Sequence, residues 1–322
     1  MKLAVLATGH IAEKVTQTLV QMKELECYAV ASRELSKAQE FKRRFGFEKA
    51  YGSYQEMVSD PEVELVYITS PHSHHFEHMK LCIEHGKNVI CEKAFTVNAD
   101  QAREINRLAE EHRVFVTEAI WTRYMPSRNI INKVLSDGTI GDIKALTANL
   151  CYNVYHRNRV SNPELAGGAL LDVGVYCINF ALMHLGSDIM DIHSSWQQID
   201  TGVDGMNTMT IRYRDGRLAN LTSAITAKSD RQGIFYGTKG YVVITNINNP
   251  SCIRVFDYDD NLIRSVEVPP QISGYEYEFI ECVKAIEEGR TESWSMPLSD
   301  SIEVMGIMDG IRAQWGLRYP ME

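Results

Sequence analysis

The chain lacks the features that mark membrane-spanning and nucleic-acid-binding proteins. No uninterrupted apolar run reaches the length of a transmembrane helix, and no basic leader with an apolar segment opens the chain. Its charge is not basic either, since 33 Lys and Arg residues face 42 Asp and Glu residues, for a net charge of −9. Because an acidic surface repels phosphates and anionic lipids, we expect neither nucleic acid nor a membrane as partner.

Cysteine pairs, internal repeats and low-complexity segments are also missing. The seven cysteines are an odd number, no two of them form a CxxC motif, and they lie scattered at positions 27, 82, 91, 151, 177, 252 and 282. This usage is typical of reduced thiols, several of them buried, in a cytoplasmic protein.

What is present is enough apolar sequence for two domains. The chain has 322 residues, 44% of them hydrophobic, which suits two cores better than one. In residues 1–120, strand-like runs alternate with helix-like stripes, and this alternation predicts an α/β domain with a doubly wound parallel sheet, the Rossmann arrangement. The predicted strands are residues 2–7, 27–31, 64–69, 88–91 and 114–117.

Residues 121–322 carry a different pattern. A helix over residues 127–135 precedes strand-like runs at residues 144–153, 209–213, 218–224, 241–245, 253–258 and 263–268, and two helices end the chain. Asp215-Gly216 favours a hairpin turn, and Ser273 with Glu276 resembles a capping box. We predict an α+β domain with a mostly antiparallel, open sheet. Because the open face needs a cover, we expect a homodimer through this sheet.

The turn after the first predicted strand reads Ala7-Thr8-Gly9-His10-Ile11-Ala12. In the dinucleotide fingerprint GxGxxG/A, Gly9 has the second glycine position, where a side chain would block the pyrophosphate, and Ala12 has the third. Ala7 replaces the first glycine, although alanine does not adopt positive φ freely. A helix N-terminus follows the turn and attracts phosphate, so we expect Thr8, Gly9, His10 and Ile11 to bind a dinucleotide.

The end of the second predicted strand bears on the choice of dinucleotide. An acidic residue there would bind the ribose 2′-hydroxyl of NAD, but the chain has Ser32-Arg33, with Glu34 one step later. Arg33 can hold a 2′-phosphate through paired hydrogen bonds, the alternative being a solvated loop arginine. We therefore favour NADP(H) and keep NAD(H) as the alternative.

A histidine cluster follows the third predicted strand. His74 and His78 have the i, i+4 spacing of a zinc site, but no carboxylate or thiolate lies within the cluster, so we expect no metal. We predict instead a loop along the cofactor and structural roles for His74 and His78. The residues expected to bind the cofactor here are Ser70, Pro71, His72 and His75.

Two further motifs carry acid–base groups. Glu92-Lys93 follows the fourth predicted strand, at the end of a parallel sheet where a dinucleotide lies. The second domain contributes GGALLDVGVY at residues 167–176, in which Asp172 and Tyr176 share one side if the segment is helical.

Together with the turn at Gly9, these motifs resemble the Gfo/Idh/MocA oxidoreductases over nearly the whole chain. Residues 31–33, 50–54, 118–123, 168–172 and 201–204 are similar to the branch of dimeric dihydrodiol dehydrogenases and NADP-dependent D-xylose dehydrogenases. Ala94 stands where the family usually has proline, which relaxes a backbone restraint but removes no chemical group. Tyr176 stands where many members have histidine, and the named branch has tyrosine.

The resemblance implies an NADP-dependent dehydrogenase or reductase acting on a CH–OH group of a sugar or vicinal diol, or on the matching carbonyl. Tyr176 would be the acid or base, Lys93 would supply the neighbouring cation that a phenol needs near neutrality, and Asp172 would orient Lys93 or the substrate. Glu92, Trp121 and Arg123 would contact the cofactor, and Trp121, Tyr152, Tyr155 and His156 the substrate. The ordinary alternatives are a surface lysine, a packed tyrosine, a capping aspartate, a packing tryptophan and a salt-bridged arginine.

Two other functions stay open. The same scaffold can use bound NAD for elimination or glycoside hydrolysis, or serve as a cofactor-sensing regulator without turnover. The complete set of Lys93, Asp172 and Tyr176 argues against the regulator, because a sensor needs no acid–base groups.

Overall fold

The structure, a computed structural model, describes residues 1–322. The chain forms two compact units: Met1–Tyr124 with Gln271–Gly306, and Met125–Pro270 with Ile307–Glu322. Residues 271–306 therefore belong to the first unit, although they follow the second unit in the chain. No change of composition in the sequence indicates this return.

The first unit is built on a parallel sheet of six strands in the order β3-β2-β1-β4-β5-β6, the order of a dinucleotide-binding sheet. Its strands are β1 (Lys2–Leu6), β2 (Glu26–Ala31), β3 (Lys49–Tyr51), β4 (Leu65–Ile68), β5 (Asn88–Glu92) and β6 (Val116–Ala119). Its crossover helices are α1 (His10–Leu19), α2 (Leu35–Phe45), α3 (Tyr54–Val58), α4 (His72–Glu84) and α5 (Ala99–His112). The predicted doubly wound sheet is confirmed. The sequence prediction missed β3, whose three residues are too few for a periodic signal.

The second unit holds a sheet of eight strands in the order β14-β13-β12-β11-β7-β10-β9-β8. Its strands are β7 (Ile143–Cys151), β8 (Ile189–Gln198), β9 (Asp204–Tyr213), β10 (Leu218–Ala224), β11 (Gly233–Gly237), β12 (Gly240–Ile244), β13 (Cys252–Asp257) and β14 (Leu262–Glu267). Only β7 and β10 pair in parallel, so the predicted mostly antiparallel sheet is confirmed. The prediction missed β8, which has no buried residue, and β11, which begins and ends with glycine.

Three helices belong to the second unit alone: α6 (Pro126–Ser136), α7 (Asn158–Ser161) and α8 (Val175–Leu185). One turn of π-helix, Leu170–Gly174, leads directly into α8. Helix α8 packs against β7 and β10, and nine of its eleven residues are buried, so it is the central helix of this unit's core.

This helical stretch corrects one expectation from the sequence. Pro163–Leu185 is long and apolar enough to cross a membrane by length and composition. Asp172 interrupts the apolar sequence of this stretch, so no uninterrupted apolar run of that length is present. In the structure 94% of its apolar window is buried inside the protein.

The last two helices are α9 (Glu276–Glu287) and α10 (Leu298–Trp315). Half of the predicted capping box forms at α9: a Glu276 carboxylate oxygen accepts hydrogen bonds from the backbone N–H groups of Ser273 and Gly274, at 3.1 and 2.7 Å. The Ser273 hydroxyl accepts from Tyr275 N at 3.2 Å, one residue before the partner that the box requires.

All seven cysteines are free thiols, and five of them are buried. Burial raises the pKa of Cys27 to about 11. The same cause raises the pKa of the buried Cys91 thiol.

Candidate active site

The turn after β1 fits a pyrophosphate. Gly9 directly precedes α1, and no side chain caps the N–H groups of the first turn of that helix. A Cβ atom built on Gly9 would meet no atom within 4 Å, so the space beside this residue is open. Ala12 is fully buried where the helix packs on the sheet. Uncapped N–H groups at an open helix N-terminus attract phosphate oxygens, so the turn suits the dinucleotide that the fingerprint indicates.

Ala7 adopts the conformation that the missing glycine would supply. Its φ is +79°, in the left-handed region that costs a non-glycine residue about 1–2 kcal/mol. Its N–H donates to the Ala31 carbonyl at 3.0 Å, and the Thr69 hydroxyl donates to the Ala7 carbonyl at 3.2 Å. These bonds hold the turn between β2 and β4 in spite of the strain.

At the end of β2, Ser32 is buried and Arg33 is exposed. The nearest carboxylate, Glu34, pairs with Lys37 at 2.6 Å. Burial, together with the charge of Arg33, lowers the pKa of His74. The end of β2 therefore has a positive electrostatic potential, and the carboxylate beside it, Glu34, is already paired with Lys37.

Two of the histidines after β4, His72 and His75, are buried. The loop predicted for these residues was wrong, because His72 already begins α4 directly after Pro71, and its side chain is buried. His75 is fully buried, with Nδ1 2.8 Å from the Ala94 carbonyl and Nε2 2.8 Å from the Ser70 carbonyl. Burial lowers the pKa of His75 to about 4 although both acceptors favour the protonated ring. His75 thus ties the end of β4 to the turn that follows Lys93.

His78 hydrogen-bonds the Ser70 hydroxyl at 2.9 Å and packs edge-on against Tyr54, with ring centroids 4.8 Å apart. The His74 and His78 rings lie 5.8 Å apart. No group of three or more His, Cys, Asp or Glu side chains could hold a metal ion.

Lys93 directly follows β5, where its side chain is partly exposed. On its amino side, the Tyr67 hydroxyl donates a short hydrogen bond to the buried Glu92 carboxylate. On its carboxyl side, Phe95 N donates to Glu118 Oε1 at 3.1 Å. The lysine therefore sits between two anchored residues, which limits the motion of its backbone.

Glu118 is the second anchor of that turn, and sequence reasoning assigned it no role. It lies in β6, is fully buried, and also accepts a hydrogen bond from the Ser301 hydroxyl at 2.9 Å. Burial raises its pKa to about 7, against the opposing effects of Ser301 and the Arg123 charge. Two buried acids thus hold the residues on either side of Lys93: Glu92 precedes it in the chain, and Glu118 accepts the hydrogen bond from Phe95 N.

Trp121 and Arg123 form a short 3-10 helix after β6, and both are buried. The Trp121 ring stacks on Tyr275 with centroids 4.2 Å apart and an interplanar angle of 19°. Arg123 forms a short ion pair with Asp300. The segment from 271 to 306 therefore supplies partners for both residues that were expected to contact cofactor or substrate.

In the second unit, Asp172 and Tyr176 lie on one helical stretch, as the sequence indicated. Asp172 is in the π-helical turn and Tyr176 in the first turn of α8, and both are buried. Arg159 Nη1 lies 2.7 Å from Asp172 Oδ1, and the arginine is 45% exposed. The stretch therefore presents a carboxyl group and a phenol four residues apart along one helical stretch.

The remaining expected substrate residues lie in the loop after β7. Tyr152 is half-buried, accepts a hydrogen bond from Asn248 at 3.4 Å, and has the Arg231 guanidinium 5.6 Å from its ring centroid. Tyr155 is 52% exposed, and its ring contacts His156 edge-on at 6.3 Å. The loop therefore offers aromatic surface to solvent.

Sequence reasoning missed Glu118, Arg159 and Asp204. Each is a charged residue whose partner lies elsewhere in the chain: Ser301 for Glu118, Asp172 for Arg159, and Leu170 N for Asp204. Asp204 and Glu118 belong to motifs that carried the family resemblance, which was the one available signal.

Comparison with known proteins identifies a family match in each half of the chain. Residues 1–120 match the Gfo/Idh/MocA oxidoreductase family with its NAD-binding Rossmann fold, and residues 130–243 match the Gfo/Idh/MocA C-terminal domain. The chain is 33% identical over 335 residues to trans-1,2-dihydrobenzene-1,2-diol dehydrogenase of Mus musculus, covering 100% of this chain and 99% of the relative.

Solved structures share the fold. KijD10, a 3-ketoreductase from Actinomadura kijaniata in complex with NADP and TDP-benzene, matches 97% of each chain with a TM-score of 0.90 and 23% identity. An aldose-aldose oxidoreductase from Caulobacter crescentus, complexed with glycerol, matches 98% of each chain with a TM-score of 0.88 and 19% identity. The full-length relative and the two family matches confirm the resemblance, and this chain belongs to the Gfo/Idh/MocA family of NAD(P)-dependent oxidoreductases.

Proposed function

We propose that this protein is an NADP-dependent dehydrogenase or reductase that acts on the CH–OH carbon of a vicinal diol or sugar, or on the matching carbonyl. The observation that carries the proposal is the buried helical stretch with Asp172 and Tyr176, in a chain whose Lys93 directly follows a strand of a dinucleotide-binding sheet. The full-length relative named a dihydrodiol dehydrogenase supports the substrate class.

The division of labour follows from the chemistry of alcohols and carbonyls. The bound nicotinamide would supply hydride transfer at the substrate carbon. The protein must move the hydroxyl proton and stabilise the oxygen while its charge changes. In this proposal Tyr176 Oη exchanges that proton, Lys93 supplies a cation for the substrate oxygen, and Asp172 orients the substrate.

The preference for NADP rests on the end of β2. Arg33 is exposed there, and Glu34, the one nearby acid, already pairs with Lys37. A guanidinium–phosphate bond contributes about 1.5–3 kcal/mol, so we expect Arg33→Ala to weaken NADP binding by roughly 10–100-fold and to leave NAD binding unchanged. Equal kcat/KM for NADP and NAD in the unaltered enzyme would contradict this preference.

Activity is best tested with trans-1,2-dihydrobenzene-1,2-diol, D-xylose and a panel of sugars and dicarbonyls, each with NADP(H) and NAD(H), by absorbance of the reduced nicotinamide. We expect turnover in at least one dihydrodiol or sugar reaction. Cofactor binding without turnover on the whole panel would favour a sensor, and isotope exchange without net cofactor reduction would favour elimination or hydrolysis.

Two variants assign the roles. Lys93→Met should abolish turnover and leave NADPH binding intact, and Tyr176→Phe should lower kcat by about 100-fold or more, the typical contribution of a general acid or base. Lys80→Met is the matched control, because Lys80 lies on α4 and pairs only weakly with Glu84 at 3.9 Å. Near-native turnover of Lys93→Met would refute the role of the lysine.

We also propose that the chain forms a homodimer through the sheet of the second unit. Helix α8 covers one face at β7 and β10. On the other face, Thr210 and Asn220 hydrogen-bond across β9 and β10 at 2.9 Å, and Leu218 is exposed. Mass in solution should be twice the 36.5 kDa of one chain; Thr222→Arg, on this face, should lower it. A monomeric mass for the unaltered protein would refute the dimer.

A further inference from the structure

A buried carboxylate supports the helical stretch of the second unit from outside it. Asp204 begins β9 and is fully buried. Its Oδ2 accepts hydrogen bonds from Leu170 N at 2.8 Å and from Asn207 Nδ2 at 2.7 Å. Its Oδ1 has no hydrogen-bond partner.

The stretch needs this support because it has no cap of its own. The first N–H groups of any helix lack partners within the helix. The residues before Leu170 are Gly167, Gly168 and Ala169, and no side chain caps the stretch locally. Asp204 supplies the missing acceptor from a strand 34 residues further along the chain. A carboxylate there also has the charge that a helix N-terminus favours.

Residues around Asp204 also contact the segment that contains Leu170, residues 167–174. Gly168 has φ +124°, and a Cβ atom on it would lie 2.1 Å from Asp204 Oδ1. The Tyr319 hydroxyl donates to the Gly167 carbonyl at 2.8 Å. The Ser223 hydroxyl donates to Asn207 Oδ1 at 2.7 Å. A Cβ atom on Gly174 would lie 2.9 Å from Ser223 Oγ. The polar network therefore contacts the segment at both ends.

We propose that Asp204 is a positioning residue for the reaction: its bond to Leu170 N sets the place of the turn that carries Asp172 and, four residues later, Tyr176. Asp172 N in turn donates to the Gly168 carbonyl at 3.2 Å, so a shift of the first turn displaces both side chains. The inference rests on the proposed function, in which Tyr176 exchanges the substrate proton and Asp172 orients the substrate. Asp204 itself touches no reacting atom.

A packing role alone needs no ionisable group at this place. Burial raises the pKa of Asp204 to about 7, although the bonds from Asn207 and Leu170 act in the opposite direction. Burial of a carboxyl group costs free energy, and a hydrogen bond that its oxygen accepts from a specific backbone N–H group offsets part of that cost.

The test compares Asp204→Ala, Asp204→Asn and a control, with trans-1,2-dihydrobenzene-1,2-diol and NADP as probes or whichever panel substrate turns over. A misplacement of about 1 Å can cost 100-fold in rate, so we expect Asp204→Ala to lower kcat by at least about 10-fold. The KM for NADP should stay within about 2-fold of the unaltered value, because the turn at Gly9, which we expect to bind the pyrophosphate, belongs to the first unit. Asp204→Asn should recover kcat to within about 3-fold of the unaltered enzyme, since one amide oxygen still accepts both bonds.

Asp60→Ala is the matched control. Asp60 is also a buried carboxylate with several partners, accepting from Tyr51 at 2.6 Å and Lys49 at 2.8 Å, but it belongs to the first unit, whereas the segment 167–176 belongs to the second. This variant should lose stability and keep kcat. A loss of kcat equal to that of Asp204→Ala would show that kcat follows stability, and would overturn the inference.

Other outcomes separate the inference from the proposed function. Wild-type kcat in a folded Asp204→Ala overturns the positioning role whatever Tyr176 does, whereas wild-type kcat in Tyr176→Phe overturns the proposed function. An Asp204→Asn variant as slow as Asp204→Ala would overturn the hydrogen-bond account. If Asp204→Ala does not fold, Asp204→Leu takes its place, because leucine keeps the branched shape of the side chain and lacks the acceptor for Leu170 N; wild-type kcat in a folded Asp204→Leu would overturn the inference.

Discussion

Replacing Glu118 by glutamine should make the free energy of unfolding less sensitive to pH, and the size of this change follows from the raised pKa of the buried acid. Burial raises the pKa of Glu118 from 4.5 to about 7. Between these values the folded state binds a proton that the unfolded state has lost, so this group's contribution to stability falls as pH rises. Each pKa unit corresponds to 1.36 kcal/mol, and a shift of roughly 2.5 units gives about 3 kcal/mol, lost between about pH 4.5 and pH 7.

Glutamine keeps the bonding of the site. Its amide oxygen can accept from Phe95 N, and its NH2 group can donate to the Ser301 hydroxyl. The variant therefore removes only the charge. The free energy of unfolding of Glu118→Gln minus that of the unaltered protein should grow by about 3 kcal/mol from pH 4.5 to pH 8. Taking the difference cancels the opposite effect of His75, whose pKa burial lowers to about 4.

Urea denaturation at half-unit steps of pH measures this difference, with the m-value as a check that the unfolding transition is the same. Glu56→Gln, an exposed glutamate, is the control and should change the free energy by less than about 0.5 kcal/mol at every pH. A difference for Glu118→Gln that stays constant over this pH range would refute the reasoning.

Three further predictions follow from single residues. Ala7→Gly should raise the free energy of unfolding by about 1 kcal/mol, because glycine relieves the strain at φ +79°; a loss of stability in denaturation would contradict it. Gly168→Ala should lower stability by about 2 kcal/mol or more, since its Cβ would lie 2.1 Å from Asp204 Oδ1, and an unchanged melting curve would refute the close contact. Arg159→Ala should lower kcat more than Arg159→Lys, because lysine retains a cation for Asp172; equal kcat in steady-state assays of both variants would argue against the pair.

Local sequence signals were sufficient where a residue acts through its neighbours in the chain. Gly46 ends α2 with φ +79°, as a left-handed cap requires. Buried parallel strands such as β4 and β5 are short apolar runs, which are visible without any tertiary contact. Glu92-Lys93 was placed at a strand end for the same reason. The weak elements β8 and β11 carry no such pattern, so the sequence did not reveal them.

The sequence by itself determined the two domain types, the turn at Gly9, and the positions of Lys93, Asp172 and Tyr176 at element ends or on one helix, because periodicity and turn chemistry are local properties. Only the tertiary structure decided which distant groups hold these elements in place: Glu118 and His75 around the Lys93 turn, and Asp204 at the start of the Asp172 helix. A buried N–H or C=O group must find a partner wherever the folded chain supplies one, and that choice depends on packing in three dimensions, which no local pattern records.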